Sequence, residues 1–361
     1  MPTAPSVTGT GGRTRPPSGS GGAEGGASGE GGDGGSQAQG GAGPDDRDAG
    51  SDAPGARDAG FNCRYLNGVQ QQTPQVMITL DRSGSMFKKY GTSTVTRLQI
   101  VQQALHQMLE DYSDSIHFGY VEFPVKSCPS GCCASMVIPP NPQTLSAIEK
   151  RWNCDLQPAS CTQTTNDSPA AQALRESRWF FEDEDTWPAS RHVLLLTDDE
   201  PLCAANTEKN DCAMAVAEVG KLSGANKVST RVFGLTEELR ASACLDMMAT
   251  LGGNTTVGQL PASHRITTTG EQLVSELNHW FGELSQEACG FRLPNTLMPP
   301  QRISVRYDHR PVPHDPLRDD GWEYDVPEAP SRVIFYGSYC ERLRLGSADD
   351  TEFSVCVPNP P

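Results

Sequence analysis

Asp81-Arg82-Ser83-Gly84-Ser85 is the stretch whose residue types and spacing best suit chemistry. One carboxylate and two hydroxyls stand two residues apart, and Gly84 permits the tight turn that would aim all three at one point. Carboxylate and hydroxyl oxygens are hard ligands, suited to a cation such as Mg²⁺ or Ca²⁺. The other use of such a serine is as a nucleophile. No Gly-x-Ser-x-Gly elbow surrounds Ser83 or Ser85, however, and His106 and His117 have no sequence link to them. The chain therefore reads as a binding protein and not an enzyme. The acidic run from Phe181 to Trp187 lacks the glycine and spaced ligands of a calcium loop, and reads as a solvated connection.

A turn of this kind acts only if rigid elements hold it. Val76-Met-Ile-Thr-Leu80 directly before it is an apolar run suited to a buried strand. Arg97 to Glu110 follows as a helix, with Leu98, Val101, Leu105, Met108 and Leu109 on one stripe. Further strands are read at Ile116–Phe123, His192–Thr197 and Thr230–Gly234. Further helices are read at Thr144–Arg151, Ala213–Ser223, Thr236–Leu251 and Gln272–Gln286. Another starts at Ser168, with the serine as N-cap and Pro169 at the first helical position. This alternation predicts an α/β fold, a doubly wound, mostly parallel sheet with helices on both faces. Ligands of such sheets sit at the carboxyl ends of the strands, which points to the loops after Leu80, Phe123 and Thr197.

The composition divides the chain. Residues 1–60 are dominated by Gly, Ser, Ala, Pro and Asp, with Val7 as the one larger aliphatic, and read as a disordered tether. Residues 61–74 are a cysteine-bearing lead-in, 75–288 the α/β domain with a cysteine-rich insert at 124–163, and 289–361 a small extended module held by Cys340 and Cys356. Trp152, Trp179 and Trp187 read as packing residues. A net charge of −16 argues against nucleic acid as a partner. No stretch is apolar and long enough to span a bilayer. Twelve cysteines at close loop spacing, without a C-x-x-C pair, imply a disulfide framework and an extracellular or cell-surface location, with the pairing left open. A disulfide at Cys203 and Cys212, which bracket one loop, would shape the surface just beyond Asp198. No charged, apolar leader follows Met1, so an export signal would have been cleaved or would lie upstream of this start.

The Asp-x-Ser-x-Ser turn between strand and helix resembles that of the von Willebrand factor type A family. Two later stretches extend the likeness, Thr164-Thr165-Asn-Asp-Ser-Pro-Ala-Ala and Leu194-Leu-Leu-Thr-Asp198-Asp-Glu-Pro201. Val232-Phe-Gly-Leu235 and Met248-Ala-Thr-Leu-Gly-Gly253 are similar to the family's late strand and helix end, so the resemblance covers about residues 75 to 286. It implies a metal-ion-dependent adhesion site of Asp81, Ser83, Ser85, Thr165 and Asp198, with Thr164 as the alternative to Thr165. Ser83 and Ser85 would bind the ion directly, and the other three directly or through water. Mg²⁺ is the expected ion, with Ca²⁺ or Mn²⁺ as alternatives, and an Asp or Glu of a protein partner would complete its shell. Two departures are visible. Arg82 would partly offset the negative field, and Asp199 stands where the family commonly has Gly, adding a carboxylate that disfavours an acidic ligand. The alternatives are an intracellular assembly subunit of a chelatase- or ATPase-like complex, and a scaffold of the same fold that binds no metal. The layout as a whole also resembles surface proteins predicted in myxobacteria-like organisms.

Overall fold

The apolar run that precedes the Asp-x-Ser-x-Ser turn is buried along its whole length, from Gln75 to Asp81. A computed structural model describes residues 61–90, 94–125, 132–152, 167–183, 190–203, 211–253, 264–294, 302–326, 330–345 and 351–358. The tether read over 1–60 lies outside the described residues, all of which fall in one compact unit, Pro54–Pro361. In chain order the strands are β1 (Phe61–Tyr65), β2 (Gln70–Gln71), β3 (Gln75–Asp81), β4 (His117–Phe123), β5 (Ser135–Asn141), β6 (Arg191–Thr197) and β7 (Val228–Gly234). Then come β8 (Arg265–Ile266), β9 (Gly290–Arg292), β10 (Arg302–Tyr307), β11 (Arg310–Pro311), β12 (Gly321–Tyr324), β13 (Arg332–Tyr336) and β14 (Thr351–Pro358). The helices are α1 (Arg97–Tyr112), α2 (Leu145–Trp152), α3 (Ala170–Asp183), α4 (Asp211–Ala225), α5 (Ala243–Leu251), α6 (Gly270–Glu287) and α7 (Gly337–Leu345).

Six strands form the central sheet in the order β5-β4-β3-β6-β7-β8. Every pairing is parallel except that of the edge strand β5 with β4. Alternate side chains sort the apolar residues onto two faces. Val76, Ile78 and Leu80 of β3 join Phe118, Tyr120, Leu194 and Leu196 under α1, α2 and α6. Met77 joins Val121, Val193, Leu195 and Val232 under α3, α4 and α5. This is the doubly wound, mostly parallel sheet that the alternation of elements predicts. Because β3 leads through α1 to β4 on one side while β6 lies on the other, the strand order reverses between β3 and β6. A crevice opens at the carboxyl ends of such a pair.

Several local readings change. The helix expected over Thr236–Leu251 is broken: a 3-10 segment at Glu237–Ala241 gives way to α5, whose N-cap Ser242 accepts from Leu245 N at 3.2 Å. Helix α1 starts with a capping box in which Thr96 and Gln99 each satisfy the other's backbone N–H. Trp152 is buried as expected, but Trp179 is 45% exposed, and Trp187 lies outside the described residues.

The lead-in and the tail build two further sheets together. One has the order β1-β14-β10-β11 and the other β12-β13-β9-β2, around a core that includes Phe291, Val305, Trp322, Phe335 and Phe353. The tail also holds a helix, α7, which the Pro-rich pattern conceals. Four disulfides lie among the described residues: Cys63–Cys356, Cys132–Cys203, Cys212–Cys244 and Cys289–Cys340. The loop bracketed by Cys203 and Cys212 is thus not closed on itself. Cys203 reaches back to the insert and Cys212 forward to α5, because the sheet brings those distant segments closer than the chain does. Cys340 and Cys356 likewise pair with Cys289 and Cys63.

The Cys63–Cys356 bridge joins strands 293 residues apart in sequence, where a covalent link most restricts the unfolded chain. Replacing both residues by Ala should lower unfolding stability by about 2–5 kcal/mol in a urea titration. An unchanged midpoint would mean that the β1–β14 hydrogen bonds hold the strands without the bridge.

Candidate metal centre

Asp81 ends β3 and is fully buried. Three separate segments supply its partners. Ser83 N donates to Oδ1 at 2.7 Å, closing the turn, while Ser168 Oγ and Thr197 Oγ1 each donate to Oδ2 at 2.7 Å. Gly84–Phe87 then form one 3-10 turn, begun by Met86 N donating to Ser83 O at 3.1 Å. The Ser83 side chain does not cap that turn. It lies 2.8 Å from Ser85 Oγ, which donates to Asp198 Oδ1 at 2.8 Å. Asp198 directly follows β6, and its side chain has no exposed surface. Four of the five expected ligands, Asp81, Ser83, Ser85 and Asp198, therefore meet at the crevice between β3 and β6. Thr165, and Thr164 beside it, lie outside the described residues.

The electrostatics are those of a site short of positive charge. Burial, and then the nearby Asp198 carboxylate, push Asp81 up to about 7, against the three hydrogen bonds that favour its charged form. The described cation of the site is Arg97, at the start of α1, whose Nη1 donates to Asp198 Oδ2. Arg82 does not serve this role. Its side chain is buried and donates through Nη1 to Glu122 Oε2 at 2.9 Å, and Arg151 also pairs with Glu122. Glu122 thus absorbs the charge expected to offset the site's field. Asp199 turns outward and its Oδ1 accepts from Glu200 N at 2.9 Å. Its carboxyl is raised, first by desolvation and less by the neighbouring Asp198 and Glu200.

Ser168, Thr197 and Arg97 were not read as site residues from the sequence. Thr197 adjoins Asp198 and Ser168 is three residues past Thr165, so both carried a positional signal. Arg97 carried none, because its contact depends on how α1 packs. His106 lies 2.6 Å from Glu149 and takes no part in the serine cluster.

The donor set is two carboxylates and the hydroxyls of Ser83 and Ser85. Among the described residues there is no group of three or more His, Cys, Asp or Glu side chains able to hold a metal. The set still fits a hard cation. The side-chain oxygens of Ser83, Ser85 and Asp198 follow one another at hydrogen-bond distance, none of the set is a soft ligand, and of its two buried carboxylates Asp198 is the one paired with a guanidinium.

No protein-family model matches the chain, and no curated protein matches it. Among solved structures it is similar to a point mutant of the PilB minor pilin from Streptococcus sanguinis. The identity is 14% and the TM-score 0.45, over 60% of this chain and 62% of that one. It is also similar to the pilus adhesin SpaC from Lactobacillus rhamnosus GG, at 12% identity and a TM-score of 0.45, over 82% of this chain and 40% of that one. A third is the SpRpn10 VWA domain, at 9% identity and a TM-score of 0.39, over 58% of this chain and 95% of that one. The chain therefore spans less than two thirds of either pilus protein. The fold assignment rests on the strand order and covering helices of the chain itself.

The raised Asp81 carboxyl has a consequence for stability. Between the ordinary carboxylate value near 4 and about 7, the folded chain holds a proton that the unfolded chain has lost, so stability falls as pH rises through that window. In chelator-treated buffer, Asp81→Asn should therefore melt at a higher temperature than wild type at pH 8. The gap should narrow steadily on acidification toward pH 5. A gap independent of pH would place the unfavourable charge elsewhere.

Proposed function

We propose that this chain is an exported, metal-dependent binding module of adhesion type. The observation that carries the reading is the meeting of Asp81, Ser83, Ser85 and Asp198 at the reversal point of the sheet. Ser83, Ser85 and Asp198 would hold a divalent cation, Mg²⁺ first and Ca²⁺ or Mn²⁺ as alternatives. Asp81 would position the turn and add charge from behind, and Thr165 would add a further hydroxyl. When bound, the ion supplies an electrophilic coordination position for a partner's Asp or Glu. The low charge of the protein ligands preserves that electrophilicity, and the buried carboxylates favour cation entry over any anion.

Further support comes from the resemblance to the von Willebrand factor type A family over about residues 75 to 286, together with a doubly wound sheet of the kind it implies. The disulfides favour an oxidising compartment and disfavour the intracellular assembly role. Among the described residues no helix is long and apolar enough to cross a membrane. A second reading, a scaffold that binds no metal, is favoured by the Arg97–Asp198 pair, since a guanidinium already neutralises one carboxylate.

Calorimetric titration with Mg²⁺, Mn²⁺ and Ca²⁺ separates the two. The metal reading expects binding heat in wild type and at least about a tenfold loss of affinity in Asp81→Ala and Asp198→Asn, of the size that one charge-assisted ligand contributes. Absent heat in wild type would favour the scaffold, and unchanged heat in Asp81→Ala would place the binding outside this site. The adhesion half is checked by affinity capture in Mg²⁺ and in chelator. Partners retained equally in both would count against metal-bridged binding.

A further inference from the structure

We infer that Arg97 is a built-in counter-cation that competes with the divalent ion for Asp198 and holds the site's metal affinity low; this rests on the metal reading above. The position of Arg97 is not incidental. Its backbone N–H donates to Lys88 O at 3.0 Å, and Tyr90 N donates to Val95 O at 3.2 Å, so the segment leaving the Asp-x-Ser-x-Ser turn folds back onto the start of α1. The Thr96–Gln99 capping box then fixes that start. The side chain crosses to the residue after β6, 101 residues away in sequence, and pairs with Asp198 Oδ2. With Oδ1 taken by Ser85, both oxygens of Asp198 are committed.

An ion held by Ser85 and Asp198 must therefore displace the guanidinium or share its carboxylate. Sharing sets a divalent and a monovalent cation beside one buried group, where Coulomb repulsion is poorly screened. Displacement is the easier course. The Arg97 side chain is 19% exposed, so it already touches solvent. The exposed carboxylate of Glu238 lies within its field; it is held below its ordinary value chiefly by its own backbone N–H and the Thr236 hydroxyl, and in part by Arg97. Without an ion, Arg97 spares the fold part of the repulsion between Asp81 and Asp198. With one, that contact is given up, and its loss is subtracted from the binding energy. The site would fill only where divalent cations are plentiful.

The test uses the full chain, with titration calorimetry and melting curves in Mg²⁺ and Mn²⁺. Arg97→Ala and the neutral, polar Arg97→Gln should each bind the ion at least about tenfold more tightly than wild type, which is about 1.4 kcal/mol. Arg97→Lys, which keeps the charge, should stay near wild type, as should Lys221→Ala, which removes a positive charge on α4. The metal-free melting temperature of the neutral variants should fall while the rise caused by saturating metal grows. In wild type, which needs no variant to fold, the Arg97 guanidinium resonance should shift with metal occupancy. Equal affinity in wild type and Arg97→Gln, or weaker binding in Arg97→Gln, would overturn the competition and leave the metal site standing. No binding in any of them would overturn both.

Discussion

Everything at the candidate site depends on one unfavourable fact, a carboxylate with no access to water at the end of the central strand. Asp81 could have been avoided by any neutral residue of similar size. It is instead retained and surrounded, with a backbone N–H from its own turn and hydroxyls from two other segments. Each of these donors comes from a different stretch of chain, so the carboxylate ties its own turn, the approach to α3 and the end of β6 to one point. Burial nonetheless outweighs the three hydrogen bonds, and the group stays well above the usual carboxylate range. A second carboxylate, Asp198, stands close enough to raise it further. A pair of buried acids at the open end of a sheet is a stored demand for positive charge.

Two cationic systems lie near one another and answer different demands. Arg82 and Arg151 converge on Glu122 of β4, whose side chain is 2% exposed, in a cluster that pins the turn's second residue and α2 to the sheet. Removing one member of such a cluster strands the others' charge, which makes it a structural fixture and not an adjustable one. Arg97, whose side chain is 19% exposed, differs from Arg82, whose side chain is 5% exposed, in reaching solvent. One arrangement holds the turn's backbone in place, and the other modulates what its carboxylates feel. The sequence order hides this division, since Arg82 lies inside the motif and Arg97 outside it.

How much of this was legible follows from what kind of interaction made each feature. Buried strands advertise themselves through apolar runs, so β3, β6 and the parallel sheet could be read directly, as could the amphipathic stripe of α1. Asp81, Ser83 and Ser85 are consecutive in one turn and could be read as a unit. Asp198 needed the family resemblance, since nothing local links residues 113 apart that end up 2.8 Å from each other. Ser168 looked like a helix cap because short-range rules assign a serine before Pro its commonest role, while its hydroxyl proton goes to Asp81. The cysteines were legible as a framework but not as pairs. Proximity in the chain suggested one loop from Cys203 to Cys212, whereas the sheet sends each to a distant partner.

The route of the chain gives the domain a polarity. Residues 61–71 pair with strands from the far end of the sequence, Phe61 with Pro358 and Gln71 with Phe291, and the chain then passes directly into the start of β3. Helix α6 returns to the same region, where Gln71 Nε2 donates to Ala288 O at 2.9 Å. The paired β sheets therefore adjoin the amino end of β3, whereas Asp81 closes its carboxyl end, seven residues and about 23 Å of extended chain away. Both attachments of the α/β domain to those sheets enter on the side opposite the candidate site. Of the four disulfides, Cys63–Cys356 and Cys289–Cys340 reinforce the sheets at the attached end, and Cys132–Cys203 braces the loop that follows Asp198 at the other. A chain entering at Phe61 thus leaves the carboxyl-end loops facing away from its own point of entry. That orientation follows from where the first two strands find their partners.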